Sequence, residues 1–155
     1  MIQRIQSLYL LIISVLTSVF LSGSYIKFVN RSSDSIILNF NGIWIAGEKA
    51  VPDPGLILIF ITALALLITL IALTAIFLYR KRKIQMKLTM ILIIAGLVLI
   101  LLLSYSIFFI LSNFQANFVF TFNLLSPLLC LIFSVLAHRA IRRAENIVRS
   151  YDRLR

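Results

Sequence analysis

A nucleophile, a base or a metal ligand could come from very few side chains in this sequence. It has one histidine, His138, and one cysteine, Cys130. Cys130 falls within an apolar run and His138 at its edge, and no group of His, Cys, Asp and Glu has the spacing of a metal site or a nucleophile–base pair. The acids Glu145 and Asp152 stand in an arginine-rich stretch, where ion pairing is their expected use. An enzyme is therefore not expected and no cofactor is implied. The single cysteine also permits no intrachain disulfide. The remaining polar chemistry is of two kinds: hydroxyls and amides set among apolar residues, and clustered cations.

The elements that hold these groups are organised around residues 80–87, where Arg80, Lys81, Arg82, Lys83 and Lys87 separate two long apolar runs. Gly55–Tyr79 carries no charge over 25 residues and Leu88–Leu111 none over 24. Each exceeds the ~20 residues that cross a bilayer as a helix. Eight residues are too few for a domain, so the two helices return antiparallel as a tight hairpin. The whole composition agrees: 155 residues, 61% hydrophobic and 13% charged, with a mean hydropathy of +1.06, lie far from the soluble balance.

A first apolar run, Ile5–Leu21, follows the basic start and is 17 residues long. The small residues Ser22, Gly23 and Ser24 behind it also suit a secretory signal peptide, but the apolar run exceeds the usual ~7–15-residue signal core, which favours a retained span. A fourth span is expected from Phe118, because Pro127 to Ala137 alone gives only 11 residues. Pro127 would then lie inside a helix, deprive the Asn123 carbonyl of its donor and kink the segment, with a gate or site at Asn123, Ser126 and Cys130 as the functional alternative to a tolerated proline. The fold class that follows is an all-α integral membrane protein with four transmembrane helices in an up-down bundle, at about 5–24, 55–79, 88–111 and 118–137. An outer loop at 25–54 carries a small β-hairpin, the hinge is 80–87, and a basic amphipathic helix closes the chain at 138–155. In that helix Ala137, Ile141, Ala144 and Val148 form a stripe, with Arg142, Arg143, Arg149 and Arg153 lying off it.

In the outer loop, Asn41-Gly42 separates two β-prone runs and predicts a type I′ turn pairing Phe40 with Ile43 and Leu38 with Ile45, with Asn39 and Trp44 on the other face. Tyr25–Val29 is a candidate third strand, and Asn30-Arg31-Ser32 fits the glycosylation pattern. Within the spans, Ser7, Ser14, Ser18 and Ser22 step by 7, 4 and 4, while Thr62, Ala65, Thr69 and Ala72 step by 3, 4 and 3. Such small-residue faces allow close helix packing, and these two could face one another.

The charges set the expected orientation. Arg4, the five cations of 80–87 and six arginines from Arg139 onward total twelve on one side, against Lys27, Arg31 and Lys49 on the other. The positive-inside rule makes the first side cytoplasmic. The formal net charge of +10 is thus one membrane surface. Its expected partners are anionic lipid headgroups and other membrane proteins; nucleic acid is not among them.

The two ends, Met-Ile-Gln-Arg-Ile-Gln-Ser at Met1–Ser7 and Val-Arg-Ser-Tyr-Asp-Arg at Val148–Arg153, resemble those of a domain-of-unknown-function family of bacterial four-span inner-membrane proteins. The resemblance implies a four-helix architecture and a bacterial cytoplasmic membrane, and implies no activity. If it holds, Arg4 would meet Glu145 or Asp152 in a polar cluster, the alternative being two independent solvated ends. The expected function is an accessory or structural subunit acting by helix packing and its basic face. A passive solute path along Ser14, Ser18, Thr62, Thr69 and Asn123, or lipid binding, is the alternative; ion coupling lacks the charged residues within spans that it normally uses.

Overall fold

A computed structural model describes residues 2–29, 35–39, 42–45, 48–50, 55–78, 81–114, 117–119 and 121–153. Four helices dominate: α1 (Ile2–Ser22), α2 (Gly55–Phe77), α3 (Arg82–Phe114) and α4 (Leu125–Arg153). Each gives a stretch long and apolar enough to cross a membrane: Ile5–Ser22, Leu56–Phe77, Lys83–Phe109 and Phe122–Asn146, the last beginning in the turn ahead of α4. Helix α1 packs on α2 and α4, and α3 packs on the same two. Neighbours run antiparallel, since contacts between them climb one helix while descending the other. Thr17 and Tyr25 meet Thr69 and Thr62, and Gln6 and Asn123 meet Ala140 and Phe20.

Small and aliphatic residues fill the seams. Leu10, Ile13, Ile61, Ala65, Ala72, Ala75 and Ala137 are fully buried, and alanines at such positions let backbones approach closely. The outward residues are equally apolar: Leu56, Phe60, Leu70, Leu101 and Phe108 are each at least 63% exposed. A helix surface that is apolar on both its packed and its free faces is at rest in hydrocarbon, not in water.

The all-α expectation is too narrow. Among the described residues, five strands form one antiparallel sheet in the order β4-β3-β2-β1-β5: β1 (Ile26–Val29), β2 (Ser35–Asn39), β3 (Gly42–Ile45), β4 (Glu48–Ala50) and β5 (Asn117–Val119). Strand β5 lies in the segment between α3 and α4 and pairs with β1, Phe28 opposite Phe118. The fourth helix therefore begins at Leu125, after a 3-10 turn at Phe122–Leu124, and not at Phe118. Its length is recovered at the other end, because α4 runs without interruption past His138 to Arg153. The basic segment thus continues the fourth span.

Two further expectations change. Between β2 and β3 the register is Asn39 opposite Gly42 and Leu38 opposite Ile43, which makes Gly42 a strand residue and not a turn residue; Phe40 and Asn41 lie outside the described residues. Leu38 pairs with Ile43 rather than Ile45, a shift of two, which keeps every residue on its face. A side-chain period of two makes the registers indistinguishable by hydrophobic pattern alone. At the hinge, α3 already begins at Arg82, which takes Arg82, Lys83 and Lys87 into the helix. Lys81 closes the turn: its N–H donates to Leu78 O at 2.9 Å, and its own carbonyl accepts from Ile84 and Gln85.

Pro127 does not stand in the interior of α4, as the expected kink required. It stands in the first turn, where a missing N–H leaves no helical bond broken, and the Asn123 carbonyl accepts the Ser126 hydroxyl at 2.7 Å instead. Pro127→Ala is accordingly expected to change stability by about 1 kcal/mol or less. Thermal unfolding in detergent checks this; a gain of several kcal/mol would instead indicate an interior, helix-breaking proline.

Candidate functional site

Polar side chains inside the bundle join elements to one another. Thr69 Oγ1 donates to Thr17 Oγ1 at 2.9 Å, tying α2 to α1. Gln6 Nε2 donates to the Ala140 carbonyl at 3.0 Å, and Gln85 Nε2 to that of Ala75 at 3.1 Å. The Gln85 Oε1 is buried without a partner. At the sheet end, Tyr25 stacks on Phe20 with centroids 4.6 Å apart, and its hydroxyl lies 3.2 Å from Thr62 Oγ1. Thr62 Oγ1 also lies 2.6 Å from the Leu58 carbonyl of its own helix, to which it donates. Burial raises the Tyr25 phenol above its ordinary pKa, and the Thr62 contact offsets part of that rise.

The residues singled out from sequence fall in several places. Ser14 and Ser18 donate to carbonyls of their own helix, at Leu11 and Ser14, and line with Ser22 and Thr69 an open groove of about 430 Å³ between α1 and α2. Ser7 is half-buried and Ala65 fully buried. Thr62 bonds Tyr25, and Thr69 bonds Thr17 rather than any serine. Lys81, Lys83, Arg142 and Arg143 are exposed. Gly42 and Trp44 are strand residues of β3, Trp44 opposite Ile37 and Lys49. Asn41, Arg80 and the Asn30-Arg31-Ser32 pattern lie outside the described residues, as do the side chains of Arg4, Trp44, Arg82, Arg149, Asp152 and Arg153. The proposed Arg4 cluster therefore has no described geometry, although Gln6, two residues on, does reach α4.

Among the described residues, a concentration of uncommitted polar chemistry lies at the basic end, between α3 and α4. Helix spacing puts Lys83, Met86, Lys87, Met90 and Ile91 on one face of α3, and His138 and Arg142 opposite them on α4. Together they line an open groove of about 640 Å³. Thr89, fully buried, sits behind it: its hydroxyl donates to the Met86 carbonyl at 2.9 Å and lies 3.0 Å from His138 Nδ1. Either group can donate across this contact; it orients the ring and leaves Nε2 as the nitrogen free of it. Sequence reasoning named the cations but missed Thr89, Gln85 and Thr17. A polar residue in an apolar run was the available signal, but its partner was not.

This arrangement can hold an anion beside an apolar chain. Cys130 stands apart from it, buried, with Sγ 3.8 Å from the Ile13 carbonyl on the α1 side. Among the described residues no three His, Cys, Asp or Glu side chains gather as metal ligands.

No curated protein and no solved structure matches the chain. A family model does: the one described as "Domain of unknown function (DUF4293)" matches residues 2–154, and the chain belongs to that family.

Proposed function

We propose that this chain is a non-enzymatic accessory or structural subunit of a bacterial inner-membrane complex, with the basic end and both termini on the cytoplasmic side. One observation carries the reading: the hydroxyls and amides that might have lined a solute path are committed to the fold. Thr62, Thr69 and Asn123 join one element to another, and Ser14 and Ser18 bond their own helix. What is left to meet other molecules is an apolar exterior, suited to lateral packing, and a basic end, suited to anionic headgroups or an acidic partner surface. The excess of cations at that end supports the cytoplasmic assignment.

The test is purification from native membranes in mild detergent through a C-terminal tag, with mass spectrometry of what remains bound. The expected result is the same one or few membrane proteins at near-stoichiometric ratio in independent preparations. Recovery of the chain alone, as a monomer or homo-oligomer, overturns the proposal.

A further inference from the structure

We infer that the α3–α4 groove at the basic end binds one anionic phospholipid of the surrounding leaflet, its phosphate held by Lys83, Lys87 and Arg142 and an acyl chain laid along Met86, Met90 and Ile91. The inference rests on the membrane-spanning reading of the four helices and is independent of any role in a complex.

Three properties of the groove select this occupant. The first is charge. Among the described residues its lining includes three cations and no carboxylate, and the cations come from two helices instead of standing along one solvated face. Arginine offers a phosphate two parallel donors and the lysines add point charges. The second is the change of character with depth. Lys83 opens the third apolar stretch, and Ile91 lies eight residues on, about 12 Å further along the helix at 1.5 Å per residue. Over that distance the wall passes from Lys83 and Arg142 to Met90 and Ile91, which are 55% and 45% exposed. A phospholipid changes from anionic to hydrocarbon over the same direction; a hydrated soluble anion would leave the apolar wall uncovered. Methionines, unbranched and adaptable, suit a flexible acyl chain. The third is size and preparation. About 640 Å³ lies within the ~300–1,000 Å³ of ordinary ligand sites, and buried Thr89 holds His138 in place on the groove wall at no cost to the ligand.

The test is native mass spectrometry of the full-length protein in detergent, titrated with phosphatidylglycerol and with phosphatidylcholine of identical acyl chains. The expected result is a single saturable phosphatidylglycerol adduct favoured about tenfold or more over phosphatidylcholine. At about fivefold per cation near an anionic surface, Lys83→Gln/Lys87→Gln/Arg142→Gln should abolish that preference. Lys81→Gln/Arg139→Gln/Arg143→Gln removes as many exposed cations away from the groove and should keep it. Met90→Trp, which fills the apolar wall, should weaken both lipids. Equal binding of the two lipids, equal loss in both triple variants, or displacement of the adduct by millimolar inorganic phosphate would each overturn the inference. If the groove variant does not fold, the competition between the two lipids on the wild-type protein decides alone. A chain that purifies without protein partners yet takes the lipid would sink the accessory role and leave this site standing.

Discussion

Tyr25→Ala is expected to destabilise the protein by roughly 3–5 kcal/mol, the range for truncating a buried aromatic residue. Tyr25 is fully buried just beyond the end of α1, where the chain turns into β1. Its ring stacks on Phe20 at an interplanar angle of 10°, and its hydroxyl is hydrogen-bonded to Thr62 on α2. One side chain thus joins the end of α1, the start of the sheet and α2. Alanine would leave a cavity at that junction and remove both the stack and the hydrogen bond. Tyr25→Phe separates the contributions: it keeps the stack and loses a hydrogen bond worth about 1 kcal/mol. It also removes a titration. Because burial raises the phenol above 10.0, the fold favours its neutral form. That stabilisation is complete below pH 10 and is lost as pH rises through the raised value, so stability above pH 10 should fall less steeply in Tyr25→Phe than in wild type. Denaturant unfolding in detergent, followed by circular dichroism, measures all three proteins. A Tyr25→Ala variant within 1 kcal/mol of wild type would mean that the junction is not closed as described.

The second large effect is expected at Gly23. A methyl group there would overlap the Asn123 side-chain amide, whose Nδ2 donates to the carbonyls of Ser24 at 3.0 Å and Phe20 at 3.3 Å. These bonds occupy carbonyls at the C-terminal end of α1, a region that has no donors of its own helix, and the donor arrives from the 3-10 turn before α4. The amide is short and held twice, so it cannot yield without leaving both acceptors. Gly23→Ala is expected to cost about 1–3 kcal/mol, and Asn123→Ala a similar amount. The double variant should cost clearly less than the two together, because the new methyl then enters space that Asn123 has vacated. Strict additivity in a double-mutant cycle would show that the two positions do not touch. Gly23 is needed here for close approach, not for a left-handed backbone.

These two sites mark the boundary of what the primary structure made legible. The four long apolar stretches, the tight hairpin between the second and third helices and the concentration of cations at one end could all be read along the chain. Each is a local property judged against a fixed external scale: apolar length against bilayer thickness, and lysine and arginine count by segment. The β character of the outer loop was legible for the same reason, since alternation and turn residues are local. Even β5 left a trace in the alternating Phe118, Phe120 and Phe122, but its partner β1 lies some ninety residues earlier, and without that partner the segment reads as the start of a helix.

Tertiary structure alone decided which polar groups meet. The serine and threonine faces of α1 and α2 were visible as spacings, yet the bond across that seam runs from Thr69 to Thr17. A helix whose few threonines are its only polar residues, as in α2, has too weak a polar face to fix its rotation, so packing against its neighbours sets which residues look inward. The same holds for Asn123 on α1, Thr89 on His138, and the α3–α4 groove. Each depends on the axial register and rotation of two helices, quantities that no single helix encodes.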